Sequence, residues 1–281
     1  MTDKRQILVT FSSTPSRISK VSPVIRALKH QTFAPDQVNV WLCPYYKRLA
    51  LKFEKDGIPS FLTKDPFVKV KLVEDCGPGT KLIPLLQEGG NKDDIIIVID
   101  DDRIPSKNFI KDLVSRIDKD PNAVYGYRGC LLDASLSYAK RSIVGFNGRI
   151  FKREERRVDI LTGTGGIAFR REVTGSDYLA FWRKMEDSRP DLLNVDDILF
   201  NSFLAQKNIV RIVIPLDEEL KPLVKRLSIV RKYGIIPYPE FEEGHYPDSL
   251  WKEHSDGLKN DRAINFFKQV WESHRVSKKE A

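Results

Sequence analysis

Through the first hundred or so residues, short β-branched apolar runs alternate with stretches whose apolar positions recur at helical spacing. QILVTF reads as a strand, SPVIRALKHQ as a helix, VNVWLC as a strand and YYKRLALKFEKDG as a second helix. VKVKLV, TKLIPLLQEGG and DDIIIVID follow as strand, helix and strand. Such strict succession predicts βαβ units and a parallel sheet. IIIVI is apolar at every position, the pattern of a strand covered on both faces, so it is expected at the centre of that sheet.

Beyond about residue 120 the pattern loosens into short strands (AVYGYRG, RSIVGF, IAFRR, VRIVIP) and two helices, SDYLAFWRKMED and NVDDILFNSFLAQ. A last helix, DGLKNDRAINFFKQVWESH, carries Ile264, Phe267, Val270 and Trp271 as a core-facing stripe. There is no internal repeat, low-complexity tract or Gly/Ser linker, so one α/β domain over residues 1–281 is expected.

A chain of 281 residues with 41% hydrophobic and 31% charged residues can bury a full core, which excludes a disordered tail and an integral membrane protein. The net charge of +8 predicts attraction to phosphates, acidic glycans or anionic lipid without choosing among them. Cys43, Cys76 and Cys130 form no C-x-x-C and point to free thiols in a reducing compartment, not to a disulfide framework or a zinc cage. No signal-peptide h-region opens the chain and no window approaches the about 18 apolar residues of a membrane span. The expected location is therefore the cytoplasm.

Asp100, Asp101 and Asp102 follow the IIIVI strand directly, so they emerge at its carboxyl end, where open α/β sheets place their ligand crevice. Along an extended chain Asp100 and Asp102 point one way and Asp101 the other. Adjacent carboxylates are tolerated there chiefly with a cation between them, and hard oxygen ligands favour Mg²⁺ or Mn²⁺. The alternative is a solvated acidic turn in which Asp102 or Ser106 caps the next helix near Pro105. A second acidic pair, Asp196 and Asp197, sits in the first turn of a helix that Asn194 can cap. Those acids suit the helix dipole as well as they suit catalysis.

Taken in order, VTFSSTPSRI, QTFAP, EDCGPGTKLIPLL, IIIVIDDDRIPS, TGTGGIAFRREV and NVDDILFNSFLAQKNI resemble the GT-A fold nucleotide-sugar glycosyltransferases over roughly residues 6–210. The likeness is to the family 2-like bacterial and viral members with a G-P-x-T-K-L segment. It implies a GT-A (Rossmann-like), mostly parallel sheet flanked by helices, with a smaller mixed region on the acceptor side. The nucleotide-sugar half would run to about residue 105 and the acceptor-binding half from about 106 to 281.

The resemblance further implies a UDP-sugar donor, a divalent ion and a glycan acceptor. Asp102 would take the metal, Asp100 the metal or the ribose, and Asp101 would face the sugar or ribose. Thr10, Arg17, Asp75 and Lys81 would line the base and diphosphate, where Arg and Lys offer charge-assisted donors and an aspartate can accept from a base imide. Lys81 also has a plain alternative as an exposed first-turn lysine, and GPGTK lacks the spacing of a Walker A loop. Asp197 would be the general base of an inverting transfer, its pKa depressed by the helix dipole, with Asp196, where Glu is commoner, orienting the site.

Gly163 to Gly166, a glycine turn, would border the donor sugar and acceptor, or serve only as a bend. Of the four histidines, His30 and His274 are incidental, whereas His245 and His254 lie in a late loop of the kind that returns a histidine to the metal, with His254 preferred. The aromatics of PYYKR and YLAFW suit sugar stacking, although the helical spacing of Tyr178, Phe181 and Trp182 favours core. A basic segment holding Lys140, Arg141, Arg149, Lys152, Arg153, Arg156 and Arg157 is solvated surface by default. Its functional option is contact with an acidic acceptor or, peripherally, with a lipid headgroup.

Two other functions compete. A sugar nucleotidyltransferase would carry a glycine-rich loop after the first strand, and TFSSTPSRI has no glycine. A nucleic-acid-binding protein is suggested by charge alone, without an RRM, zinc-finger or basic-helix signature. An inactive sugar-binding relative would bind UDP without turnover. The implied setting is a bacterial cytosol or that of a cell infected by a virus encoding its own glycosylation.

Overall fold

The computed structural model describes residues 4–145, 154–215, 235–237 and 258–276. The first half runs β1 (Ile7–Ser12), α1 (Ser22–Lys29), β2 (Gln37–Leu42), β3 (Tyr45–Tyr46), β4 (Leu51–Lys52), α2 (Ser60–Thr63), β5 (Val68–Leu72), α3 (Ile83–Gln87) and β6 (Ile95–Val98). Next come β7 (Arg103–Pro105), α4 (Phe109–Ile117), β8 (Val124–Gly126), β9 (Arg128–Leu131), β10 (Ser142–Gly145), β11 (Arg156–Arg157), β12 (Ile160–Leu161) and β13 (Ile167–Arg170). The remainder is α5 (Gly175–Ser188), α6 (Asp196–Gln206), β14 (Arg211–Val213), β15 (Ile235–Pro237), α7 (Leu258–Phe266) and α8 (Lys268–His274).

Eight strands form the main sheet in the order β11-β14-β8-β13-β6-β1-β2-β5. β6 lies inside it, paired in parallel with β1 on one side and antiparallel with β13 on the other. Its apolar run serves both faces. Ile95, Ile97 and Ile99 join Val24 and Leu28 of α1 and Phe109 and Leu113 of α4 in one core. Ile96 and Val98 join Leu85 of α3, Trp182 of α5, Leu199 of α6 and Trp271 of α8 in the other. Polar residues anywhere in this strand would be buried without partners, which is why the run has none.

The antiparallel run of β13 sets up the site. Its first residue, Ile167, stands opposite Val98, so the glycine turn before it, Gly163–Gly165, arrives at the end of the sheet where Asp100 emerges. A smaller sheet, β10-β9-β12, stands beside the main one, which makes the whole an α/β fold with a mostly parallel sheet and a small mixed region.

Three local expectations are corrected. YYKRLALKFEKDG is a hairpin, β3 with β4, because Tyr46 is drawn inward to donate its hydroxyl to Ser13 O (2.8 Å) and Ala50 turns through a left-handed φ of 49°. AVYGYRG divides into β8 and β9, which belong to different sheets. The last helix breaks into α7 and α8 at Phe267, yet its stripe is core as expected, with Ile264, Phe267 and Trp271 buried. Tyr178 and Trp182 are core as well, and all three cysteines are free. Among the described residues no helix is long and apolar enough to cross a membrane.

At the opposite end of β6, the buried Asp94 accepts from the backbone N–H of Gln6 and of Asn91, both at 3.0 Å, and pairs with the buried Arg171 at 3.3 Å. Asp94→Ala leaves that guanidinium buried without its carboxylate, and stability should fall by about 3–5 kcal/mol in urea unfolding. A loss below about 1 kcal/mol would mean that Arg171 escapes to solvent.

Candidate active site

Past β6 the chain emerges as Asp100, Asp101 and Asp102, and the three carboxyls take different partners. Asp101 is buried, accepts from Ser13 Oγ at 2.5 Å and pairs with Arg17 Nε at 3.2 Å. Its burial pushes it up to about 6, against the pull of Arg17. Asp100 lies 3.2 Å from Lys81 Nζ. Burial opposes its ionisation, but Lys81, Arg103 and Arg17 outweigh that and hold it below the usual carboxylate range. Asp102 faces Arg103 Nε at 3.3 Å, and its Oδ1 is buried without a hydrogen-bond donor.

Lys81 ends a single 3-10 turn, Gly77–Lys81, that is locked at several points. Asp75 accepts from the backbone N–H of Gly77 (2.8 Å) and of Lys47 (2.7 Å), and Thr80 Oγ1 accepts from Cys76 N (2.9 Å). Gly79 is required here, since a Cβ would stand 2.3 Å from Trp182 Cη2. Thr10 Oγ1 donates to Lys81 O at 2.6 Å while accepting from Trp41 Nε1 at 2.7 Å. Thr10 is fully buried and its hydroxyl is occupied, so its place is beneath the crevice, holding Lys81. That corrects the expectation that it lines the donor.

The second acidic pair arrives from α6. Lys81 Nζ reaches Asp196 Oδ2 at 3.0 Å, so one ammonium bridges the acids after β6 and those at the start of α6. Burial works against its charge, but Asp100, Asp196 and Asp197 together hold its pKa well above the ordinary lysine value. Asp197 Oδ1 accepts from Gly163 N at 3.0 Å. A Cβ on Gly163 would stand 2.8 Å from Lys81 Nζ, 3.4 Å from Asp100 and 3.5 Å from Asp197, which places the glycine turn against the centre of the cluster.

Asp197 is pushed up to about 7, first by burial and then by the neighbouring Asp196, with Lys81 pulling the other way. The expected depression by the helix dipole is overturned. A helix terminus is worth about 0.3–1 kcal/mol, less than one pKa unit, and crowding with burial exceeds it. Asn194 does not cap α6 either, since the N-cap is Val195 without a side-chain bond.

What holds α6 in place is Asn201, which sequence reasoning missed. Fully buried one turn beyond Asp197, it accepts from Leu161 N (2.9 Å) and donates to Leu161 O (2.8 Å) and Asp197 O (2.7 Å). A lone amide inside the apolar run ILFNSFLA was the available signal. Ser13 was missed too, and nothing in SST marks it as the partner of Asp101.

Thus the structure brings together Lys81, Asp100, Asp196 and Asp197, with Asp101, Asp102 and Arg17 adjoining. Asp75 sits at the loop edge, bound to backbone amides. His245 and His254 lie outside the described residues, as do Arg149, Lys152 and Arg153 of the basic segment. Among the described residues no group of three His, Cys, Asp or Glu is arranged to hold a metal. The donor set still fits a hard divalent ion that keeps water and substrate phosphate among its ligands. Five carboxylates face three cations here, and Asp102 offers a buried oxygen without a hydrogen bond. A larger pocket of about 410 Å³ lies at the far end of β13, but its charged groups are already paired, Arg170 with Asp93 and Glu172, Lys207 with Asp177.

No protein-family profile matches the chain, and no curated protein matches it. Solved structures do. The crystal structure of GalNAc-T7 with UDP, GalNAc and Mn²⁺ aligns at 16% identity over 75% of this chain and 42% of that one, with a TM-score of 0.52. S. aureus TarS 1–349 aligns at 16% identity over 60% of this chain and 48% of that one, with a TM-score of 0.41. A 4-diphosphocytidyl-2C-methyl-D-erythritol synthase aligns at 14% identity over 47% and 64%, with a TM-score of 0.36. The chain spans less than two thirds of the length of each of these proteins. At such identities the likeness is one of fold, and the first of the three carries it: the chain has a GT-A-like α/β fold.

Asn201→Ala would strand two backbone groups of Leu161, and a stability loss of about 2–4 kcal/mol is expected in chemical denaturation. An unchanged midpoint would show that α6 is held by packing alone.

Proposed function

We propose that the chain transfers a sugar from a UDP-sugar to a hydroxyl of a glycan acceptor, with inversion and with a divalent metal ion. The observation that carries this reading is the geometry of the crevice where β6 ends: Asp197 accepts from Gly163 N–H beside the ammonium that bridges Asp100 and Asp196, and burial together with Asp196 pushes it up to about 7. A general base works best with a pKa near the operating pH, where it is partly ionised and still takes a proton readily. The donor class is supported by the shared fold, since the GalNAc-T7 crystal contains UDP, GalNAc and Mn²⁺.

In this reading the half up to about residue 105 binds the donor and the remainder takes the acceptor. Asp197 accepts the proton of the acceptor hydroxyl as that oxygen bonds to the anomeric carbon. The bond from that carbon to the diphosphate breaks, and UDP leaves with the electron pair. Gly163 N–H orients the Asp197 carboxylate, and Asp196 raises its proton affinity.

Asp100 and Asp102 would hold Mn²⁺ or Mg²⁺, with His254 as a further candidate ligand. Bound there, the ion supplies positive charge to the departing diphosphate. Arg17, kept in place by Asp101, offers a phosphate contact, and Asp75 an acceptor for the base. Asp101 is turned to Ser13, so its part is to position Arg17 and not to touch the sugar.

Asp197→Asn should lower transfer by about 10²–10⁴-fold while leaving Mn²⁺-dependent UDP binding intact, as read by calorimetry. Transfer retained in that variant removes the base assignment. For the parent protein, kcat/KM should rise with pH along a limb of apparent pKa about 7 or somewhat lower, because the ionised form is the active one and a nearby cation favours it. A rate that falls through this range contradicts the sign. Release of pyrophosphate from a nucleoside triphosphate and a sugar phosphate, without transfer from any UDP-sugar, would make the chain a nucleotidyltransferase instead.

A further inference from the structure

We infer that Lys81 is an internal counter-ion that competes with the divalent metal for Asp100, so that the free protein binds metal weakly and a nucleoside diphosphate is needed to make the metal site strong. The inference rests on the metal reading of Asp100 and Asp102 given above and adds the control exerted on it by the chain itself.

The argument starts from Lys81 Nζ, 3.2 Å from Asp100 and 3.0 Å from Asp196. A divalent ion on Asp100 and Asp102 would have to share the Asp100 carboxylate with this ammonium, and like charges at such range repel strongly in a part-buried crevice. The lysine backbone cannot retreat. Its carbonyl is held by Thr10, Thr10 by Trp41, and the turn before it by Thr80 and by Trp182 stacked on Gly79. On the other side Nζ occupies the space that a Cβ on residue 163 would need, 2.8 Å from where that atom would stand.

Repulsion is therefore relieved by an added anion, and a diphosphate offers both its oxygens to the metal and its charge to Lys81. Metal and diphosphate then favour each other by a common factor, as linkage requires. The same ammonium keeps Asp100 and Asp196 from repelling each other when no metal is present.

The test is titration of Mn²⁺ alone, followed by electron paramagnetic resonance, and then titration with UDP, corrected for the chelation of Mn²⁺ by UDP itself. Lys81→Met should bind Mn²⁺ alone at least about tenfold more tightly than the parent, because one positive charge next to the ion is gone. It should also lose most of the enhancement by UDP, whereas Lys81→Arg should keep weak binding of Mn²⁺ alone.

Gly163→Ala provides a second route with the lysine retained. Its new methyl group displaces the Lys81 ammonium, and Mn²⁺ alone should again bind more tightly. Should Lys81→Met not fold, Gly163→Ala decides the matter. Asp102→Asn separates the two levels of the argument. If Mn²⁺ binds through Asp102 but neither Lys81→Met nor Gly163→Ala tightens it, the counter-ion role is wrong and the metal site stands. If Mn²⁺ binding is absent even with UDP present, or is unaffected by Asp102→Asn, the metal reading falls and this inference with it.

Discussion

A single ammonium between two carboxylates, Lys81 between Asp100 and Asp196, is the contact on which the crevice depends. The strand that delivers Asp100 is buried on both faces, so it imposes the position of the first acid with no freedom to adjust. α6, packed against one face of that strand, delivers Asp196 and Asp197 and is clamped by Asn201. Bringing these groups together without a cation would cost Coulomb energy in a medium much less screening than water. The lysine offsets that cost, and the Trp41–Thr10 chain under its carbonyl keeps it where it does so.

The fold places these parts together through one reversal of strand direction. With β13 running against β6, a glycine turn reaches the carboxyl end of the central strand, and its N–H meets Asp197. A wholly parallel sheet would have sent that segment to the opposite end, where the Asp94–Arg171 pair now ties down the strand starts. One end of β6 thus has its charges balanced and buried for stability, and the other keeps an excess of carboxylate open to a ligand.

Much of this was legible in the residues. IIIVI announces a two-faced central strand because a buried strand tolerates no polar position, and three aspartates directly after it have few structural explanations. The helices at SDYLAFWRKMED and DDILFNSFLAQ follow from their periodicity. What periodicity misjudges is set by tertiary contact. The residues from Tyr45 to Lys52 have helical spacing, but Tyr46 gains more by burying its ring and bonding to Ser13. The pKa of Asp197 was misjudged because the dipole of its own helix is visible in sequence while the carboxylate and the burial that dominate it are not. Thr10 reads as a ligand contact because a threonine in the carboxyl half of a strand suits both roles, and only the position of Trp41 decides between them.

The bridge also has a consequence for the order in which the molecule assembles. Lys81 and Asp100 lie 19 residues apart in the chain, so that half of the bridge closes a short loop inside the parallel βαβ unit. Asp196 must come from beyond the reversed strand, across a far longer loop with a greater closure entropy. Contacts of long sequence separation form late, so the βαβ part up to β6 takes shape first and the crevice is completed last. During that interval Lys81 is held by Asp100 alone, and the arrival of α6 at once completes the core behind Trp182 and brings in the two carboxylates that leave the crevice with an excess of negative charge.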